Sequence, residues 1–307
     1  MPQDHTLQLH CPAKVNLALS VGSPRSNGMH PIASLMCALT FGDDLTLKKA
    51  DRSSHFDIQF IKLFKDDDQP MGTVDWPLEK DLAFRALNAL QDHVGRPLDV
   101  NVTLSKRIPA GAGLAGGSGN AAGLLVGLNA LYDLNLSTQT LAELAATLGS
   151  DVIFMVHAMQ DHLDAAIVSG LGEGVTPLKL QQVIHLVLIF PPFGCPTGKV
   201  YGTFDRLLAK TQNSQKQVEN QRVQDLALQS VIQLDDPFND LAIPACDVQP
   251  QLATLQKQLA QALKIPIHIT GSGSTLYALA TDKHSAQVTA KCIREQHGLK
   301  SVATQTL

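Results

Sequence analysis

The sequence predicts a chain that mixes α and β elements, and three stretches carry that reading. Residues 7–19 alternate: Leu7, Leu9, Cys11, Ala13, Val15, Leu17 and Leu19 face one way, Gln8, His10, Pro12, Lys14, Asn16 and Ala18 the other. That period of two marks a half-buried strand, with Lys14 and Asn16 on its more polar face. Residues 109–122 crowd five glycines, Gly111, Gly113, Gly116, Gly117 and Gly119, just ahead of Leu124, Leu128 and Leu131 at helical spacing. Glycines permit positive φ and close backbone approach, so this loop predicts N–H groups converging on an anion at a helix N-terminus. In the third stretch, Ser137 or Thr138 caps a helix with the stripe Leu141, Leu144, Ala145 and Leu148, and Gly149 supplies its stop.

Each stretch also has a plainer reading. The glycine run lacks the Gly-Lys-Ser/Thr ending of a Walker loop and a plain GxGxxG fingerprint, so a helix-packing turn stays open as its plainer reading. A lone Lys14 is ordinarily a solvated lysine. Asp151, at the edge of the apolar run Val152–Val156, either caps the next element or serves a site. Residues 269–279 form a second small-residue loop between apolar segments, and residues 81–94 an amphipathic helix. Residues 62–80, with Asp66, Asp67 and Asp68, and the polar segment 210–224 read as loops or a polar helix.

Composition bounds the function. The 307 residues are 44% apolar and carry a net charge of −4, enough for a large core and too acidic overall to attract nucleic acid as a whole. No run of about eighteen apolar residues and no signal-like segment is seen, so neither membrane attachment nor export is expected, and the cytoplasm is. Five widely spaced cysteines predict neither a disulfide framework nor a Cys₄ zinc site.

In their order along nearly the whole chain, these motifs resemble the GHMP kinase superfamily. The residues that carry the resemblance are Pro-Ala-Lys-Val-Asn-Leu at 12–17, Asn-Gly-Met-His at 27–30, Phe-Gly-Asp-Asp-Leu-Thr-Leu at 41–47, the glycine loop, Leu-Gly-Ser-Asp-Val at 148–152 and Gly-Leu-Gly-Glu at 170–173. The resemblance implies a two-lobed α+β fold with mixed or antiparallel sheets packed by helices, with an ATP-binding domain at 1–158 and an acceptor-side domain at 159–307. It also implies transfer of the ATP γ-phosphoryl to an alcohol of a cytidine diphosphate-linked polyol on a route to isoprenoids.

By the same resemblance Asp151 is the catalytic aspartate and Lys14 the lysine paired with it. Carboxylates ordinarily titrate near pH 4, so the aspartate is expected to accept the alcohol proton late rather than to strip it in the ground state. ATP, with Mg²⁺ bridging its phosphates, would lie on Pro109, Gly111, Gly113, Leu114, Gly116, Gly117, Ser118, Gly119 and Asn120, with Lys106 nearby; no protein side chain is identified as a metal ligand. Asn16, His30, Tyr201, Gly271, Ser272 and Gly273 would hold the acceptor, with His30 hydrogen-bonding the base and Tyr201 stacking on it. The chain departs from the family pattern in Ala115, Gly119 and Asn120 of the loop, in Asp81, in Ile153, and in Met29 where a stacking tyrosine is common. Two other readings stay open, a GHMP kinase for a sugar or mevalonate-type acceptor and a non-catalytic nucleotide or metabolite sensor.

Overall fold

The computed structural model describes residues 6–64, 67, 69–210 and 215–307. Asp66 and Asp68 of the acidic run, and residues 211–214 of the polar segment, lie outside the described residues. The described residues gather into two compact units that alternate along the sequence: those within 6–13, 41–110 and 115–163 form one, those within 14–40, 111–114 and 164–307 the other. Strands β1 (Thr6–Val21) and β2 (Ile32–Lys49) each contribute residues to both.

In the first unit, β3 (His55–Phe60) runs parallel to β4 (Val100–Lys106), which pairs antiparallel with Asp44–Lys49 of β2. Helices α1 (Leu82–Val94), α2 (Gly116–Leu131), α3 (Thr138–Ala146) and α4 (Ser150–Gln160) pack against one another. Helix α1 begins where Asp81 caps it, accepting the Ala83 amide at 2.9 Å. Ser137 caps α3 as its sequence predicts, but the helix ends at Ala146, and Gly149 precedes α4 in extended backbone instead of stopping α3.

Helix α2 seats itself by what it lacks. Gly119, Gly123 and Gly127 recur every four residues and so share one face. A Cβ at Gly119 would lie 2.8 Å from the Pro12 carbonyl oxygen, at Gly123 2.5 Å from Cys11 Sγ, and at Gly127 2.5 Å from Leu47 Cδ1. Bare backbone therefore rests on β1 and β2, while Leu124, Leu125 and Leu128 fill the core around it.

In the second unit, Ile32–Cys37 of β2 pairs antiparallel with β5 (Ala165–Gly170), which pairs with β6 (Gly174–Leu178). A second, antiparallel sheet comprises β7 (His185–Phe190), β9 (His268–Ile269), β10 (Leu276–Ala280) and β11 (Lys300–Gln305) in the order β11-β7-β10-β9. The short β8 (Phe238–Asn239) lies parallel to β1 at Ala18 and Leu19. Helices α5 (Thr197–Leu208), α6 (Asn220–Ala227), α7 (Ala242–Val248), α8 (Pro250–Leu263) and α9 (Lys283–His297) complete it. Val187, Ile189, Phe204, Leu252, Leu259, Leu276 and Ile293 belong to its core.

The half-buried reading of β1 holds only as far as His10. From Cys11 to Val21 both faces are buried, Lys14, Asn16 and Ser20 included. The polar face survives burial because each of its side chains finds hydrogen-bond partners, as buried polar groups must.

Candidate active site

In the second unit the polar face of β1 meets two loops. Lys14 Nζ, 4% exposed, donates to Asn16 Oδ1 at 2.7 Å and to the Gly113 carbonyl at 3.1 Å. Asn16 Nδ2 donates to Ser34 Oγ at 2.7 Å, and Ser34 Oγ donates to the Ala18 carbonyl at 2.6 Å. The Asn16 backbone is fixed as well, its N–H donating to Thr270 Oγ1 and its carbonyl accepting from Tyr277 Oη, each at 3.0 Å. Every polar group of Asn16 is thus committed, so its Oδ1 is aimed before any ligand arrives. Such pre-aimed groups stabilise charge without reorganising.

The small-residue loop 270–275 is brought here by β9 and β10, and Asn239 Nδ2 pins it by donating to the carbonyls of Ile269 and Gly271, each at 2.8 Å. Gly113, at φ 78°, presses against this loop: a Cβ there would lie 2.6 Å from the Thr270 carbonyl oxygen. A Cβ at Gly271 would lie 3.4 Å from Lys14 Nζ. Ser272 Oγ and Thr197 Oγ1 are 2.9 Å apart, which joins the loop to the start of α5. Gly113, Lys14, Asn16 and Gly271 therefore converge.

A second cluster surrounds His30, just before β2. Its ring centroid lies 4.9 Å from that of Tyr201 and 5.9 Å from that of Phe204, both on α5, and its Nε2 lies 2.8 Å from Asp205 Oδ1. Met29 beside it is 53% exposed.

The glycine loop leads into the start of α2, which belongs to the first unit. Of the five glycines expected to bend the loop, Gly111 and Gly113 take positive φ, whereas Gly116, Gly117 and Gly119 are already helical; the αL turn before the helix is made by Ala115, at φ 54°. The amides of Gly116, Gly117 and Ser118 open the helix and have no carbonyl within it to reach. Gly117 is exposed, and a Cβ there would touch only Leu82, at 3.5 Å. Asp151 stands in the first turn of α4.

Behind this loop lies a residue whose role the sequence reading did not assign. Asp43, fully buried, accepts from Lys106 Nζ at 3.0 Å, Asn120 Nδ2 at 2.9 Å, and the backbone N–H groups of Arg107 at 2.6 Å and Ile108 at 2.9 Å. Lys106 also donates to Asn120 Oδ1. Lys106 and Asn120, expected at the nucleotide, are thus buried and bonded to a carboxylate that ties the end of β4 to the first turns of α2. Its neighbour Asp44 pairs with Arg107 Nη2 at 2.6 Å, and that guanidinium holds its carboxyl below the usual range. The repeated Asp-Asp of Phe-Gly-Asp-Asp was the available signal.

Residues 81–170 match the GHMP kinases N terminal domain. The chain is 33% identical to the 4-diphosphocytidyl-2-C-methyl-D-erythritol kinase of Mycolicibacterium smegmatis, over 92% of this chain and 84% of that protein. It is 34% identical to the kinase of the same name from Thermodesulfovibrio yellowstonii, over 91% of each. The chain belongs to the GHMP kinase family. A crystal structure of 4-(cytidine 5'-diphospho)-2C-methyl-D-erythritol kinase superposes with a TM-score of 0.76 at 29% identity, covering 98% of this chain and all of that one. The L. major mevalonate kinase, at 13% identity and a TM-score of 0.65, shares the fold. Like its relatives, this GHMP kinase is an ATP-dependent phosphotransferase of mixed α+β architecture. Among the described residues no helix is long and apolar enough to cross a membrane, and no three His, Cys, Asp or Glu side chains gather to hold a metal ion.

Proposed function

We propose that this GHMP kinase transfers the γ-phosphoryl group of ATP to the 2-hydroxyl of 4-diphosphocytidyl-2-C-methyl-D-erythritol, in the cytoplasm. The observation that carries the reading is the match along nine-tenths of the chain to kinases of that name. The Lys14–Asn16 pair and the aromatic cluster at His30 support it, because they offer what such an acceptor requires. A hydroxyl must be oriented beside positive charge, and a base needs aromatic faces with a ring nitrogen at its edge.

In the reaction the acceptor oxygen attacks the γ-phosphorus in line, the bond to the ADP oxygen breaks, and the hydroxyl proton passes to the Asp151 carboxylate. Lys14, aimed by Asn16 and the Gly113 carbonyl, places positive charge where the alkoxide develops. The opening amides of α2 and Ser118 bind phosphate oxygens. Gly117 fits that task, since phosphate needs backbone without a side chain in the way. Asp43, Lys106 and Asn120 hold the loop in shape from behind. Among the described residues no three carboxylates gather to hold Mg²⁺, so the chemistry it would supply, charge neutralisation on the ATP phosphates, would come with the nucleotide. Gly271, Ser272 and Gly273 close the acceptor side, with Asn16 holding Lys14 toward the acceptor hydroxyl and Tyr201 covering the base opposite Met29.

The test is ADP release by the purified protein with Mg-ATP and this acceptor, the new phosphate being located by phosphorus NMR. A 2-phosphate product is expected. ATP binding with no acceptor-dependent ADP release would remove the reading and leave the fold.

A further inference from the structure

We propose that Asp205 is a positioning residue that fixes the proton of His30 on Nε2, so that the ring shows a nucleobase an acceptor at Nδ1 and selects a base carrying an amino group. The proposal rests on the acceptor reading above and deepens it.

Tyr201, Phe204 and Asp205 lie at i, i+3 and i+4 on α5 and so share a face, and His30 sits against all three. Tyr201 and Phe204 fix the plane of the imidazole, whose side chain is 7% exposed. Asp205 Oδ1, 2.8 Å from Nε2, fixes its polarity. An ionised carboxylate can only accept, so the proton between them belongs to Nε2, and a neutral imidazole that donates there has a lone pair left at Nδ1. Nδ1 has no hydrogen-bond partner among the described residues. It is also not sealed in, since among those residues the one buried side-chain polar atom without a partner is Thr275 Oγ1.

Nδ1 is therefore the ring atom left for a ligand, and its character is set from the far side of the ring. Cytosine and uracil differ at position 4, where cytosine has an amino donor and uracil a carbonyl acceptor. An Nδ1 lone pair hydrogen-bonds the first and faces the second acceptor to acceptor. Leaving such a pair unmatched corresponds to about 10- to 100-fold in affinity. The carboxylate, which does not touch the base, thus chooses it.

The experiment compares the full-length protein with Asp205→Asn and Asp205→Glu. Long-range ¹H–¹⁵N NMR reads the His30 tautomer, and calorimetry reads CMP and UMP binding. The wild type is expected to carry the proton on Nε2 and to prefer CMP by about tenfold or more. In Asp205→Asn the carboxamide NH₂ can donate to Nε2, so the proton is expected to move to Nδ1 and the CMP preference to collapse. Asp205→Glu keeps the carboxylate and is expected to retain much of the preference, which a loss of packing alone would not allow. A wild-type ring protonated on Nδ1, or an Asp205→Asn protein that keeps both the Nε2 proton and its CMP preference, would overturn the proposal while the acceptor reading stands. A wild type that binds neither nucleotide, or both equally, overturns the proposal together with the acceptor reading.

Discussion

Lys106 and Lys14 are equally buried, at 4% exposure, yet their surroundings differ and, on the proposed function, so do their tasks. Lys106 is held by Asp43, a carboxylate that also takes Asn120 and two backbone N–H groups. Lys14 has Asn16 Oδ1 and the Gly113 carbonyl among its partners, and these two amide oxygens fix the direction of its ammonium beside the loop 270–275. A lysine locked to a buried carboxylate is a strut, because its charge is spent on the fold. On the proposed function, Lys14 is aimed so that its charge lies beside the reacting oxygen.

The comparison is broken most severely by changes on its reactive side. Asp151→Ala is expected to lower kcat by roughly 10²–10⁴-fold while ATP still binds, as steady-state kinetics and nucleotide titration will show. On the strut side, Asp43→Ala leaves the Lys106 ammonium buried without its carboxylate. That is expected to destabilise the protein by about 3–5 kcal/mol, seen as a fall in Tm on the order of 10 °C. Normal Tm in that variant would show that the network is not structural.

A smaller effect sharpens the account of the loop. Gly119→Ser restores a hydroxyl that the family pattern includes, but its Cβ would meet the Pro12 carbonyl at 2.8 Å. The variant is expected to lose about 1–3 kcal/mol by denaturant titration and to gain nothing in ATP affinity.

Away from both lysines, burial pushes the His268 pKa below its ordinary value, with the hydrogen bond to the Leu234 carbonyl opposing it. The unfolded chain then binds the proton more readily. Stability from this ring is full above about pH 6.5 and is lost as pH falls from there toward the folded value. His268→Gln is expected to flatten the dependence of Tm on pH between about 7 and 5. The smallest effect belongs to Ala115, at φ 54°: Ala115→Gly relieves αL strain and should raise stability by about 0.5–1 kcal/mol after the cost of a freer unfolded chain.

Much of this architecture was legible in local patterns. Ser137 as a cap, α1 after Asp81, and the loop between β9 and β10 follow from spacing and residue type alone. What the sequence concealed depends on contacts far along the chain. Alternation in β1 could not reveal that Lys14 and Asn16 are buried, because their partners include atoms of residues as distant as 113, 270 and 277. The glycines of α2 looked like loop bends, and only their four-residue spacing hinted that they make room for β1 and β2. Asp43 lay inside a matched motif, and its four donors, from residues 106, 107, 108 and 120, made its task visible only in three dimensions.

The most direct test of this division of labour is the turnover of Lys14→Met. The account predicts a protein that keeps its Tm within a few degrees and still binds ATP, but whose acceptor-dependent ADP release falls by roughly a hundredfold or more. Turnover close to that of the wild type would contradict it.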